Sequence, residues 1–269
     1  MDIKRDFAQV NGTQLYYETA GTGTPLILLH GHACDTRMWD DQLEPFALSH
    51  QVIRFDSRGF GKSAMPPDEP WSPVDDVKAL LEHLGITRAA ILGFSMGGGV
   101  AIDFALAYPD MTQALIAVDC SPSGFAGPAE LAAFWARAVA EAQANGPKAA
   151  NKFVLTHPVL RFDMEIPHLA RRIEQMHLDY SGWYWVNKDL SVDLEPPALQ
   201  QLERIGVPTL LIVGENDYSS FREAADLMHK KIPNAQKVVI SNAGHFSNMM
   251  NPQRFNVVVL DFLKTISEM

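Results

Sequence analysis

The amino-acid sequence predicts an α/β fold built on a mostly parallel sheet. Short, continuous apolar runs such as residues 26–29 are typical of strands that are buried on both faces. These runs alternate with longer segments whose apolar residues recur with the period of an α-helix. Because two parallel strands must be joined by a crossover connection, this alternation indicates repeated βαβ units.

The predicted elements begin with an antiparallel pair and continue as βαβ units. Asn11-Gly12 favours a type I′ turn, since both residues tolerate positive φ, so residues 7–10 and 14–18 are expected to form a hairpin. Further strands are predicted at residues 26–29, 52–55, 89–92, 115–118, 209–213 and 237–240. Helices are predicted at residues 74–84, 96–108, 220–231 and 253–264.

The helix at residues 74–84 carries both start and stop signals. Ser72 can cap its first turn, Pro73 suits its first position, and Gly85 can end it. Its apolar residues recur on one face, at Val74, Val77, Leu81 and Leu84. This face is expected to pack on the sheet.

The alternation of strands and helices stops in one long segment. Between residues 124 and 197, Ala-rich and Trp-bearing stretches follow one another without a convincing strand. We therefore expect one core domain, made of residues 1–123 and 198–269, with a helical cap of residues 124–197 inserted into it.

The composition excludes several classes of function. The chain has 269 residues, 47% of them hydrophobic, and a formal net charge of -10. Nucleic acids and anionic membranes bind proteins through clustered Lys and Arg residues, so neither is an expected partner of this acidic chain. No apolar run approaches the roughly 20 residues that span a bilayer, and the N-terminus lacks a signal-peptide pattern. We expect a cytoplasmic protein with a small-molecule substrate, and the sequence indicates no oligomeric state.

The two cysteines give no sign of redox or metal chemistry. Cys34 and Cys120 form no CxxC pattern and no disulfide framework. Each is expected to fill space in the apolar interior.

A candidate nucleophile lies between a predicted strand and a predicted helix. The segment GFSMG, with Ser95 at its centre, matches the G-x-S-x-G pattern in that context. Its glycines permit a turn so tight that larger side chains would collide, and this turn projects Ser95 from the end of the sheet. The N-terminus of the following helix favours developing negative charge. The pattern therefore predicts that Ser95 is a catalytic nucleophile.

A serine hydroxyl becomes a nucleophile when a neighbouring base takes its proton. His245, in the segment NAGHF after the strand at residues 237–240, is predicted to be that base. A carboxylate should hold its imidazole in the required tautomer. Asp217, which follows the preceding strand, is the favoured candidate, and Asp119 and Glu215 remain alternatives.

Attack by Ser95 on a carbonyl group would create an oxyanion, which needs hydrogen-bond donors. One predicted donor is the backbone N–H of Met96, the residue after the nucleophile. The other is the N–H of His32, in the loop His30-Gly31-His32, where glycine permits the chain to bend.

The same loop offers a metal-binding alternative. An HxH segment after a strand begins the HxHxDH zinc pattern of metallo-hydrolases. Here Asp35 lies one position late, and Thr36 follows it where the pattern needs a histidine. Since no other His or Asp cluster has ligand spacing, we expect no metal site.

Taken together, these motifs resemble the α/β-hydrolase superfamily, in its branch of small cofactor-free esterases, lactonases and carbon–carbon bond hydrolases. The landmarks are HG at His30, DSRGFGKS at residues 56–63, GFSMGG at Ser95, GEND with Asp217 and AGHF with His245. The resemblance covers nearly the whole chain. It implies eight mostly parallel strands, flanking helices and a helical lid after the sixth strand. It also implies the order nucleophile, acid, histidine, which favours Asp217, and a structural role for residues 56–63.

The resemblance implies hydrolysis of a small carboxylic ester or lactone through an acyl-Ser95 intermediate. Carbon–carbon bond hydrolysis of a diketone with the same residues is the alternative enzyme activity. A ligand-binding receptor that hydrolyses little or nothing is the alternative from another class. Fold and motifs leave the acyl group unspecified.

The expected cap holds three of the five tryptophans, namely Trp135, Trp183 and Trp185. An apolar lid would exclude water and select hydrophobic groups. Its arginines could hold a substrate carboxylate, although a solvated helix charge is the expectation for each of Arg161, Arg171 and Arg172.

Overall fold

The computed structural model describes residues 2–267, and these residues form eight strands. The strands are β1 (Ile3–Val10), β2 (Thr13–Ala20), β3 (Thr24–Leu29), β4 (His50–Phe55), β5 (Ala89–Phe94), β6 (Thr112–Val118), β7 (Thr209–Gly214) and β8 (Ala235–Ile240). They build one sheet in the order β1-β2-β4-β3-β5-β6-β7-β8. β2 is antiparallel to β1 and β4, and the other neighbours are parallel. The predicted α/β fold is confirmed.

Helices cover both faces of the sheet and fill the connection between β6 and β7. They are α1 (Asp40–Ala47), α2 (Pro73–His83), α3 (Met96–Ala107), α4 (Ala129–Asn145), α5 (Pro147–Val154), α6 (Pro167–Asp179), α7 (Trp183–Val186), α8 (Ser219–Lys231), α9 (Ser247–Met250) and α10 (Pro252–Ser267). The sequence pattern predicted α2, α3, α8 and α10. The pattern did not predict α1, which contains Pro45, or α9, which is a single turn.

The sheet has an apolar layer on each face. Leu26 and Leu28 of β3 pack in one layer, with α1 and α10, while Ile27 and Leu29 pack in the other, with α2 and α3. All four side chains are buried. Because successive residues of a strand point to opposite faces, burial on both sides requires the uninterrupted apolar run of the sequence.

The segment at residues 56–63 is tied to the core. The Asp56 carboxylate accepts the N–H groups of Thr36 and Lys62, each at 2.8 Å. The Arg58 guanidinium donates to both carboxylate oxygens of Asp76, at 2.6 and 2.7 Å. These contacts fix the loop after β4.

The described chain forms helices α4 to α7 and no strand between β6 and β7, and we call residues 119–208 the helical insert. On one side its Ala138, Ala150 and Trp185 pack with Ala33 and Phe60 of the loops that follow β3 and β4. The insert therefore lies at the carboxyl end of the parallel strands. No helix within residues 2–267 is long and apolar enough to cross a membrane.

Candidate active site

Ser95 occupies a sharp turn between β5 and α3. Its backbone has φ 50° and ψ -115°, a conformation that L-residues rarely adopt. A Cβ atom at Gly93 would lie 2.1 Å from the carbonyl oxygen of Gly97, and one at Gly97 would lie 2.5 Å from that of His30. Only glycine fits at these two positions, which explains the flanking glycines of the motif.

Three side chains from separate loops meet at the carboxyl end of the sheet. His245 Nε2 lies 3.1 Å from Ser95 Oγ. On the other side of the ring, His245 Nδ1 lies 3.0 and 3.1 Å from the two carboxylate oxygens of Asp217. Asp217 is 3% exposed and His245 is 5% exposed. With Nδ1–H donating to Asp217, Nε2 can accept the proton of Ser95.

The two alternative acids have other partners. Asp119 accepts the backbone N–H of Gly214 at 2.8 Å and makes no hydrogen bond to His245 within the described residues. Burial, followed by the charge of Asp217, raises the pKa of Asp119 well above its ordinary value of 3.8. Glu215 is exposed and accepts a backbone N–H at the surface. Of the three candidates, Asp217 is the one that contacts the imidazole.

The charge of Asp217 favours the protonated form of His245. Burial alone would lower the pKa of the imidazole, but the charge and the hydrogen bond of Asp217 outweigh it and raise the pKa above its ordinary value of 6.5. Nearby His157 shows the opposite effect, because burial and the charge of His245 lower its pKa to about 4. His245 is therefore the histidine of this site that is prepared to take up a proton.

The predicted oxyanion donors lie beside Ser95. Met96 is the first residue of α3, where the N–H has no partner inside the helix. The N–H of His32 has no acceptor in the part of the chain that the structure describes. A Cβ atom at Gly31 would lie 3.3 Å from the Cβ atom of Ser95, so the loop that carries His32 packs directly on Ser95.

The side chains of the HxH loop have separate surroundings. His30 Nε2 accepts the N–H of Ser57 at 2.9 Å, which leaves Nδ1–H to donate to Gly31 O at 2.7 Å. Asp35 pairs with Arg37 instead. Residues 2–267 contain no group of three or more His, Cys, Asp or Glu residues that could hold a metal ion.

A small, apolar cavity of about 90 Å³ lies beside Ser95. Ser95, His245 and His32 contribute to its lining. The other walls are mainly apolar side chains from the core and the helical insert, among them Phe94, Leu131, Trp135, Val154, Leu160 and Phe221. Apolar walls lower the local dielectric constant, which strengthens electrostatic interactions at Ser95 and His245.

A larger cavity, of about 470 Å³, lies on the other side of His32. Its lining includes five aromatic rings, from Phe55, Phe60, Trp71, Phe125 and Tyr184. It also includes three carboxylates without a cationic partner within the described residues, from Asp103, Asp189 and Asp193. The cavity is therefore acidic, since Arg58 in its wall is neutralised by Asp76.

The His32 side chain lines both cavities. Five aromatic rings surround its imidazole at centroid distances of 4.8 to 6.2 Å, from Phe60, Trp135, Tyr180, Tyr184 and Trp185. Burial, followed by the charges of His177 and His30, lowers its pKa to about 3, so the ring is neutral at physiological pH.

The arginines of the helical insert do not line these two cavities. Arg172 pairs with Asp41 at 2.6 Å. Arg171 is exposed, and Arg161 lines a surface depression with Glu165. Within the described residues, none of the three is placed to bind a carboxylate beside Ser95.

Sequence reasoning missed two polar residues of the insert that lie close to His245. His157 lines the small cavity, and Asp163 contacts the backbone of the His245 loop. Both lie outside every motif, and their positions depend on how the insert folds back on the core. The local sequence contains no signal that would have identified them.

Comparisons with known proteins agree with this architecture. A family profile described as the alpha/beta hydrolase fold matches residues 24–252. The chain is 26% identical to a putative carbamate hydrolase, RutD, of Azorhizobium caulinodans, over 97% of this chain and 99% of that protein. A thermophilic esterase from Thermogutta terrifontis is similar in structure, with a TM-score of 0.84, 28% identity and coverage of 98% and 99% of the two chains. The enol-lactonase from Burkholderia xenovorans LB400 has a TM-score of 0.81, 25% identity and coverage of 96% and 100%.

Proposed function

The chain belongs to the α/β-hydrolase family, and we propose that it is a serine hydrolase that cleaves small carboxylic esters or lactones through an acyl-Ser95 intermediate. The observation that carries this proposal is the buried, hydrogen-bonded series of Ser95, His245 and Asp217. An esterase and an enol-lactonase among the similar structures support the choice of bond.

In the acylation step, Ser95 Oγ attacks the carbonyl carbon while His245 Nε2 takes the hydroxyl proton. Asp217 stabilises the resulting imidazolium. The N–H groups of His32 and Met96 donate to the oxyanion. The bond from carbon to the alcohol oxygen then breaks, His245 protonates the leaving alcohol, and the acyl group stays on Ser95.

In the deacylation step, water attacks the acyl carbon and His245 takes one of its protons. The bond between the acyl carbon and Ser95 Oγ breaks, and His245 returns the proton to Oγ. The products are a carboxylic acid and free enzyme. In a lactone the acid and the alcohol remain joined, so a single hydroxy acid is released.

In this proposal residues 124–197 act as a cap. The cap supplies Leu131, Trp135 and Leu160 to the small cavity, so the acyl group is enclosed between cap and core. A volume of about 90 Å³ suits a short acyl group. The remainder of the substrate extends past His32 into the larger cavity.

Labelling with a fluorophosphonate tests the nucleophile independently of the true substrate. Intact mass and peptide mapping should find one adduct, on Ser95. Ser95→Ala should abolish the adduct and lower kcat/KM for p-nitrophenyl acetate by about 10,000-fold. Ser219→Ala, at an exposed serine that starts α8, is the control and should keep both adduct and activity. Turnover by Ser95→Ala within tenfold of the parent would exclude the mechanism.

A substrate panel tests the bond that is cleaved. It contains p-nitrophenyl acetate and butyrate, an enol-lactone, an aryl carbamate and a vinylogous diketone. The proposal expects the highest kcat/KM for an ester or the lactone. A higher value for the diketone would assign carbon–carbon bond hydrolysis to the same residues. Labelling of Ser95 without turnover of any compound would favour a ligand-binding receptor.

A further inference from the structure

A carboxylate of the helical insert holds the backbone of the His245 loop. Asp163 lies in the short helical turn between α5 and α6 and is 0% exposed. Its Oδ2 accepts the N–H of His245 at 3.0 Å, and its Oδ1 accepts the N–H of Phe246 at 2.9 Å. Both oxygens are therefore used on consecutive residues of the loop that carries the proposed base.

The fit between this carboxylate and the loop is close. A Cβ atom at Gly244, the residue before the histidine, would lie 2.6 Å from Asp163 Oδ2. Any side chain at position 244 would push the carboxylate away from the His245 N–H. The glycine of the AGHF segment thus makes room for a residue of the insert.

Asp163 has no lysine or arginine partner in the part of the chain that the structure describes. The titratable groups that face it are His245, Asp217 and Asp119. Burial raises the pKa of Asp163 to about 6, although the two N–H groups and the charge of His245 act against that rise. A buried carboxylate without a cation is costly unless a positive charge forms nearby. The imidazolium of His245 is such a charge.

We propose that Asp163 is a positioning residue for His245, which fixes the backbone of the catalytic base from the helical insert and stabilises its imidazolium form during turnover. The proposal rests on the function proposed above. It makes the insert part of the catalytic machinery as well as a cover over the substrate, because displacement of the insert would remove both hydrogen bonds.

The two roles of Asp163 give a distinctive pH signature. His245 must be unprotonated to act as a base, so kcat/KM should fall as the pH drops through its pKa, which in the parent lies above 6.5. The charge of Asp163 contributes to that raised pKa. Removing the charge should therefore lower the pKa of His245 and move the acid limb to lower pH. A residue that only supported the fold would reduce the rate without moving the limb in this direction.

Asp163→Asn is the main test, measured with p-nitrophenyl acetate between pH 4.5 and about 9. Asparagine can accept only one of the two N–H groups, so the plateau of kcat should fall about 10- to 100-fold, with a smaller change in KM. The acid limb should move to lower pH. The matched control is Glu165→Gln, which changes an exposed carboxylate on the same turn. It should leave the plateau of kcat and the position of the acid limb unchanged.

Gly244→Ala tests the same contact without removing a charge from the sequence. It should displace Asp163 and lower kcat in the same range, even if Asp163→Asn does not fold. The proposal is overturned if folded Asp163→Asn keeps the acid limb of the parent or moves it upward, or if Gly244→Ala has parental kcat. Fluorophosphonate labelling of Ser95 in the parent separates the two proposals, since its absence would count against the serine hydrolase itself.

Discussion

The two cavities that meet at His32 differ in size and charge. The cavity beside Ser95 has about 90 Å³ and mostly apolar walls. The cavity beyond His32 has about 470 Å³, five aromatic rings and three carboxylates without cationic partners in the described chain. In the proposed function, the small cavity holds the reacting group and the larger cavity recognises the rest of the substrate. A small apolar space favours proton transfer and oxyanion stabilisation, whereas a large acidic space can distinguish substrates by size and charge.

The largest expected effect tests whether the chemistry belongs to the small cavity. Asp217→Asn should lower kcat/KM for p-nitrophenyl acetate by about 10,000-fold, because an amide favours the wrong tautomer of His245. Asp119→Asn is the matched control. Asparagine resembles the protonated carboxyl that the raised pKa of Asp119 favours, and it can still accept the Gly214 N–H, so the loss should stay within about tenfold.

The opposite result would contradict the assignment of Asp217 as the acid. If Asp119→Asn were the severely impaired variant, the acid would lie outside the hydrogen-bonded series beside the small cavity. The two substitutions are isosteric, and both sites are buried at neighbouring strand ends. General destabilisation therefore cannot account for a difference of three orders of magnitude between them.

The same two aspartates indicate how far the sequence could predict the site. Asp119 and Asp217 both follow buried strands, so strand order and spacing alone left them as alternatives. The distinction is a contact: Asp119 is held by the Gly214 N–H and the Ser247 hydroxyl, while Asp217 bonds His245. Strands and tight turns leave local patterns in a sequence, and contacts between distant loops do not.

The helical insert is the part that the sequence predicted least. Its helical content and its Trp residues could be recognised, but the pairing of Asp163 with the His245 N–H joins residues 82 positions apart. The five rings around His32 likewise come from the core and from two regions of the insert. Such packing follows from how helices dock, which no short motif encodes.

The next expected effect concerns the wall between the cavities. The parent should prefer p-nitrophenyl acetate over the hexanoate by about 10- to 100-fold, because a longer chain overpacks a space of this size. His32→Ala keeps the backbone N–H, removes a neutral ring and joins the cavities. It should raise the hexanoate-to-acetate ratio of kcat/KM by about tenfold.

The control for this change is Trp185→Phe. Trp185 contacts the His32 ring, with centroids 4.8 Å apart, but lines neither cavity. The Trp185→Phe variant should lose some stability, because it lacks the indole N–H that donates to Asn151. It should keep the hexanoate-to-acetate ratio of the parent. An unchanged ratio in His32→Ala would mean that the imidazole does not limit the acyl chain.

The smallest expected effect concerns the charge of the alcohol group. Acetylcholine and 3,3-dimethylbutyl acetate have the same shape and differ by one positive charge. At pH 8 and low salt the cationic ester should have the higher kcat/KM, by about 3- to 30-fold. Two unit charges 4 Å apart near a protein surface interact by roughly 1 to 4 kcal/mol. This near-surface value applies because Asp189 and Asp193 are exposed. Added salt should reduce the ratio.

Asp103 should carry part of this preference, since it is half-buried and its hydrogen-bond partner Ser123 is neutral. Burial raises the pKa of Asp103 to about 6, so the carboxylate is charged at pH 8 and its effect should weaken as the pH falls toward 6. Asp103→Asn should therefore reduce the ratio of kcat/KM for the cationic ester to that for the neutral ester at pH 8. The control is Asp226→Asn, which should leave this ratio unchanged. Asp226 is exposed and pairs with Lys237 on the far side of β7. Equal kcat/KM values for the two esters at low salt would show that the larger cavity does not receive the alcohol group. A cationic group bound among these carboxylates would be attracted more strongly than its neutral analogue.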